Sequence, residues 1–171
     1  SSANLPLFYF EKDPSLNNFC ASFSFCTIPI AHYSLLSSMY IRCVMRKYED
    51  TYQHKGLRKR LVDLLKEKGI TDEQVLEAIN IIPRHYFLDS AFDKIAYEDR
   101  AFPIGESQTI SQPYTVAYQT QLLQVKKSEK VLEIGTGSIY QSTVLAELGA
   151  RVFTIERQKK LYDLQKNYYF K

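Results

Sequence analysis

Two glycines and an acid carry the first chemical signal in the chain. Residues 130–140 read KVLEIGTGSIY, and the run RVFTIER further on contains Glu156. A short apolar strand, a Gly-x-Gly turn, a helical stretch and a second apolar strand ending in a carboxylate make one half of a nucleotide-binding βαβ unit. Gly135 and Gly137 lack the Cβ that would hold backbone away from a ligand. Glu156 follows Gly135 by about 20 residues, the spacing at which an acid at the end of the second strand meets ribose hydroxyls. Glu133, just before the turn, is either a solvated strand end or a hydrogen-bond partner for the glycine loop or its ligand. Gly-x-Gly alone is common, and its weight here comes from the strand, helix and acid around it.

Upstream, AFPIGESQTISQPYTVAYQTQLL places a hydroxyl where an anion would sit. Pro103 and Gly105 predict a loop, TIS a short link, and Pro113 the first turn of a helix. Ser111 then lies at a helix N-terminus, where its hydroxyl either caps backbone N–H groups or faces a bound anion. The candidate bases His54 and His85 lack a recognisable nucleophile partner, and His85, beside Arg84 after Pro83, reads as a structural residue at a helix end.

The elements that must position these residues follow from periodicity. Between Tyr52 and Lys68, Leu57, Leu61, Leu64 and Leu65 share one helical face, and Gly69 is a C-terminal stop. Thr71 with Gln74 reads as a capping box for a second helix whose apolar face is Val75, Leu76, Ile79 and Ile82, ended by Pro83. These two helices predict a small N-terminal helical layer packed on a sheet. Residues 83–100 are aromatic and show no clear period. Val116, Ala117, Thr120 and Leu123 supply the faces of the helix after Pro113. Lys130–Ile134 reads as a buried parallel strand, because its apolarity is nearly continuous. Residues 139–148 predict a helix stopped by Gly149, residues 151–156 the second strand, and the stretch from Gln158 a last helix using Leu161, Leu164 and Tyr168.

Composition bounds the function class. The 171-residue chain has a net charge of +3 with bases and acids interspersed, which does not suggest a nucleic-acid partner. Cys20, Cys26 and Cys43 all precede Met45, and no His/Cys set has zinc spacing, so no metal is expected and a reducing, cytoplasmic setting is. No uncharged apolar run reaches the length of about 18 residues that suggests a membrane span, and no secretory signal pattern is read. Before Met45 the charged residues are few, and neither a helical nor an alternating period persists. Residues 1–44 are therefore read as a poorly ordered extension, with translated sequence upstream of a start at Met45, or an accessory segment, as alternatives.

Three stretches together resemble one family. IPRHYF (82–87), AYEDRAFPIGESQTISQPYTVA (96–117) and KVLEIGTGSIYQSTVLAELGA (130–150) resemble, in colinear order, protein-L-isoaspartate O-methyltransferase of the bacterial type. The resemblance runs from about Met45 to Leu164. TISQP separates this family from methyltransferases in general, which share the glycine loop. The resemblance implies an α/β fold, a partial Rossmann-like parallel sheet with flanking helices, preceded by the helical layer and truncated after the second strand and its helix, with residues 45–171 as the N-terminal part of the domain. It implies transfer of a methyl group from S-adenosylmethionine to the α-carboxyl of L-isoaspartyl residues in damaged proteins and peptides, by a monomer without metal, nucleic-acid or membrane partners. By position, Ser111 is the family's active-site serine. Gln108, Thr109 and Ile110 line the substrate wall, Glu133, Gly135, Thr136, Gly137 and Ser138 wrap the methionine part of the cofactor, Glu156 takes the ribose hydroxyls, and Arg157 lies near the adenine.

This chemistry needs no conspicuous base, because the nucleophile is a carboxylate already ionised at neutral pH. Alignment and exclusion of water carry the reaction. Two departures lead us to expect weak cofactor binding and no activity in this chain. Ile139 stands where the family has glycine, at a cost of about 1–3 kcal/mol if that position needs a positive φ. The family's downstream half is not represented. A nicotinamide oxidoreductase, another S-adenosylmethionine-dependent methyltransferase, and a non-catalytic fragment acting through an exposed sheet edge remain as rival readings.

Overall fold

The computed structural model describes the backbone of residues 7–13, 18–23 and 49–169 and the side chains of residues 49–165. What was expected of the rest of residues 1–48 lies outside the described residues.

The helical layer forms as its periodicity predicts. Helix α1 (Tyr52–Glu67) buries Leu61 and Leu65, and α2 (Glu73–Ile81) buries Val75, Leu76 and Ile79 against them. Gly69, at φ +94°, ends α1 in a Schellman turn: its N–H donates to the Lys66 carbonyl and that of Ile70 to the Leu65 carbonyl. The caps correct the sequence reading. Asp72, not Thr71, caps α2, its carboxylate accepting from the N–H groups of Gln74 and Val75. The backbone N–H of Thr71 instead donates to the Gln121 side-chain carbonyl. A capping box does occur, at α1, where Thr51 pairs with His54. Two short 3-10 turns, Arg84–Phe87 and Ser90–Ile95, run through the aromatic stretch and deliver Phe87 and Tyr97 to the same core.

Next come β3 (Phe102–Gly105) and β4 (Gln108–Ile110), an antiparallel pair where the sequence suggested only a loop and a link. Its connection turns at Glu106 and Ser107, both at positive φ (49° and 56°), a conformation normally marked by Asn-Gly. The absence of that mark hid the hairpin. Helix α3 (Pro113–Leu123) follows, burying Val116, Ala117 and Thr120 but leaving Leu123 54% exposed.

The parallel unit has β5 (Lys130–Ile134), α4 (Tyr140–Glu147), β6 (Arg151–Ile155) and α5 (Lys159–Tyr169), close to the expected bounds. Strands β5 and β6 pair in parallel, with Leu132 beside Phe153. The other edge of β6 is taken by β1 (Leu7–Asp13), antiparallel, and β1 by β2 (Asn18–Phe23), giving the order β2-β1-β6-β5. Regular structure was not expected before Met45. Both strands are short and carry β-forming aromatic residues, and pairing selected them without an alternating pattern. Helix α4 lies across β6, β1 and β2.

Strand β5 is not the buried strand its sequence suggested. Among the described residues nothing pairs with its outer edge, and Leu132 and Ile134 are 61% and 72% exposed. Its apolarity is that of a central parallel strand, and its place here is an edge.

Candidate functional site

Ser111 sits just before α3, but it does not cap that helix. Asp99 does so from the preceding segment. Its Oδ1 accepts the Tyr114 N–H at 2.8 Å, while Oδ2 accepts from the Gln112 amide at 3.1 Å and from the Lys68 ammonium. Burial alone would raise the Asp99 carboxyl, but Lys68, Tyr114 and Gln112 together bring it below the usual carboxylate range. Among the described residues the Ser111 hydroxyl makes no hydrogen bond. Of the two roles open to it in sequence, capping is the one the geometry removes.

The Ser111 backbone is held from beneath by Arg84. This guanidinium is fully buried. Its Nη2 donates to the Ser111 carbonyl at 2.9 Å and its Nε to the Ala96 carbonyl at 3.1 Å, and it stacks 4.8 Å from the ring centre of Tyr140, which is also buried. Sequence reasoning passed over Arg84 because its partners lie 12 and 27 residues away. An arginine flanked by Pro83 and an apolar run was the available signal.

Facing this wall is the glycine loop. Gly135, at φ +93°, has no atom within 4 Å of where a Cβ would stand, so its outer side is open to a ligand. The N–H groups of Gly135 and Thr136 donate to the Ile155 carbonyl at 2.8 and 3.1 Å, which fixes the loop to the end of β6. Glu156 is buried below it. One carboxylate oxygen accepts the Gly137 N–H at 2.9 Å and the other the Gln158 N–H at 2.8 Å. The Gln165 amide donates to the Gly137 carbonyl from α5.

Glu133 is neither a solvated strand end nor bonded to the glycine loop. It is partly buried between β5 and α4 and accepts a hydrogen bond from the Ser142 hydroxyl. Burial, with the Glu156 charge adding, pushes its carboxyl up to about 7 against the hydrogen bonds from Ser142 and Thr154.

Ile139 closes the loop at φ +71° and ψ −5°, the left-handed region that a β-branched residue rarely enters. Its side chain is 1% exposed, in a cluster with Leu145, Ala146, Val152 and Tyr162. Burial worth about 1.5–3 kcal/mol therefore offsets backbone strain of similar size.

Thr109, Ile110, Ser111, Glu133, Gly135, Thr136, Gly137 and Ser138 line one small cavity with Tyr140 and Gln141. Eight of the residues singled out in sequence thus converge, from two stretches of chain. Gln108 is exposed on β4 and Arg157 is exposed beyond β6, and neither lines this cavity. The cavity holds only about 50 Å³, whereas small-molecule sites run to roughly 300–1,000 Å³. A cleft of about 360 Å³ lies beyond Ser138, between Phe87–Asp89, Pro103–Gly105 and Gln165.

The family model for protein-L-isoaspartate (D-aspartate) O-methyltransferase matches residues 56–168. Protein-L-isoaspartate O-methyltransferases of Christiangramia forsetii and Flavobacterium johnsoniae are each 61% identical to the chain, over 120 and 119 residues; each alignment covers 70% of the chain and 56% of the relative. The chain thus spans about half the length of the curated relatives it matches. Among solved structures, a protein-L-isoaspartate O-methyltransferase superposes with TM-score 0.57 at 30% identity, over 65% of this chain and 37% of its own. One from Plasmodium falciparum, in complex with S-adenosyl-L-homocysteine, has TM-score 0.53 at 24% identity, over 65% of this chain and 56% of its own, and supports the fold. With the family model matching well over half of the chain and both site stretches inside the match, the chain belongs to the protein-L-isoaspartate (D-aspartate) O-methyltransferase family.

Proposed function

We propose that residues 49–165 form the substrate wall and the methionine-side cofactor wall of a protein-repair methyltransferase acting on L-isoaspartyl carboxylates. The observation that carries this reading is the placement of an uncommitted Ser111 hydroxyl across a small cavity from an open glycine loop.

The residues fit S-adenosylmethionine on one side. The open flank of Gly135 and the loop through Ser138 would hold its amino-acid end. Glu156 has given one lone-pair direction of each oxygen to the N–H groups of Gly137 and Gln158, leaving the others for ribose hydroxyls. Arg157, exposed at the end of β6, would lie on the adenine side. When bound, the cofactor supplies an electrophilic methyl group on a sulfonium.

The protein's own work is positional. Ser111 donates its hydroxyl hydrogen to the substrate carboxylate and, with Thr109 and Ile110, orients it. Arg84 fixes the Ser111 backbone, so this geometry does not have to be found during the reaction. Gln108 borders the wall from β4. Among the described residues no strand or helix encloses the far side of the cavity, and 50 Å³ leaves room for one or two water molecules. We infer that this chain by itself binds S-adenosylmethionine weakly and does not turn over. Ile139, whose side chain is buried in the core cluster and does not line the cavity, adds no contact loss on the ligand side.

A chimaera tests the reading. Residues 45–164 replace their counterpart in the Christiangramia forsetii relative, and methylation of an isoaspartyl peptide is measured. The expected result is activity that Ser111→Ala removes and that Ile139→Gly leaves largely unchanged. Methylation of RNA or a small carboxylate in preference to the peptide would overturn the substrate. Micromolar cofactor binding by the unmodified chain in calorimetry would overturn its inferred weakness.

A second reading is favoured by Leu132 and Ile134, whose exposure gives the chain a surface for association without catalysis. Concentration-dependent association reversed by Ile134→Lys would support it.

A further inference from the structure

Away from the cavity, the fold assembles a polar cluster that the methyl-transfer reading does not use. His54, in the first turn of α1, and His85, in the first 3-10 turn, stack with ring centres 3.9 Å apart and planes at 25°. Asp50 lies beside them, and one ligand-type atom from each of Asp50, His54 and His85 falls within 4.8 Å of the others. Their sequence spacing shows none of this.

His85 is 2% exposed, and among the described residues its Nε2 makes no hydrogen bond of ordinary geometry. A buried polar atom left unpaired costs about 1–3 kcal/mol. In contrast, the atoms that would stand behind a metal are all engaged. His85 Nδ1 is 2.7 Å from the Tyr97 hydroxyl, and His54 Nε2 is 3.1 Å from Asp93 Oδ2. Both Asp50 oxygens accept from Arg58, at 3.0 and 3.1 Å. Ligating imidazoles and carboxylates are characteristically oriented by such outer partners, carboxylate behind histidine above all.

We propose that Asp50, His54 through Nδ1 and His85 through Nε2 form a site for a zinc-type divalent cation, clamping the start of α1 to the 84–97 segment. Two imidazoles and a carboxylate suit zinc or a neighbouring transition metal better than magnesium or calcium. The Glu49 carbonyl, 3.1 Å from His54 Nδ1, or a water completes the set. Asp50, with 22% of its side chain exposed, marks the entry path.

The same geometry limits the affinity. Tetrahedral zinc holds its ligand atoms about 3.3 Å apart, so the ion must draw the three residues together and turn the stacked rings. It must also displace the Thr51 N–H and hydroxyl, 3.3 and 3.1 Å from His54 Nδ1. The Arg58 charge on Asp50 opposes it further. Binding is therefore micromolar, and a structural role follows from the closed surroundings.

The test uses the full chain with Cys20, Cys26 and Cys43 changed to serine, so that no thiolate competes. Zinc titration by calorimetry should give one equivalent with micromolar affinity, and saturating zinc should raise the melting temperature by several degrees. Cobalt should give a visible d–d band without thiolate charge transfer. His85→Gln and His54→Gln should abolish all three signals, and Asp93→Asn should weaken binding by about tenfold to a hundredfold. No heat and no melting shift at about 1 mM zinc would overturn the proposal. So would undiminished binding in His85→Gln or, should that variant not fold, in Asp93→Asn. None of these readouts depends on methyl transfer.

Discussion

The helical layer and the parallel unit are read from equally strong sequence patterns, yet they end in different states. In the layer, α1, α2, the 84–97 segment and α3 close on one another, and Leu61, Leu65, Val75, Leu76 and Ile79 are each 2% exposed or less. In the parallel unit, α4 lies over β6, β1 and β2, while Leu132 and Ile134 of β5 stay open. An apolar pattern states what a segment can bury, and only a neighbour buries it. The layer contains its neighbours, whereas β5 faces outward with the composition of a strand flanked on both sides.

Paired truncations put the largest expected effect on this contrast. Leu65→Ala should destabilise by about 2–5 kcal/mol in urea unfolding, through lost burial and the cavity left behind. Ile134→Ala should change stability by less than about 0.5 kcal/mol, because its side chain is already in water. Equal costs would mean that the open face is covered in solution.

Next in size is a pH effect confined to the parallel unit. The Glu133 carboxyl ionises near 7 in the folded protein against 4.5 for the free group. Its proton therefore favours the folded state most at low pH, and that contribution is lost as pH rises from about 4.5 to 7. Relative to Glu133→Gln, the native chain should lose on the order of 2–3 kcal/mol across that window. Parallel stability curves for the two proteins would show that Glu133 is solvated.

The smallest effect concerns the loop itself. Ile139→Gly removes both strain and burial and should leave stability within about 1 kcal/mol. Ile139→Ala loses the burial but keeps a Cβ at positive φ, and should be less stable than the glycine variant by roughly 1 kcal/mol. Alanine above glycine in thermal unfolding would mean that the left-handed backbone carries no strain.

These contrasts explain what could be read in the chain. The glycine loop and the amphipathic faces of α1 and α2 depend on local spacing, and these appear where spacing puts them. The cap of α2 was misassigned by one residue because Thr71 and Asp72 are both good caps, and at α3 Asp99 reaches in from outside the helix and takes the capping role that was open to Ser111. Arg84 and the histidine stack depend on contacts between distant segments, and no periodicity encodes such contacts. The β3–β4 turn uses Glu106 and Ser107, which tolerate positive φ without advertising it. The exposure of β5 depends on what stands next to it, which its own residues do not specify.

Asp99 also links the length of α1 to the chemistry of the wall. Its carboxylate joins Lys68, at the C-terminal end of α1, to Gln112 and to the first turn of α3 beside Ser111. One residue inserted in α1 would rotate Lys68 by about 100° around the helix axis and take its ammonium away from that carboxylate. The register of a helix that does not line the Ser111 cavity thereby becomes part of the address of Ser111.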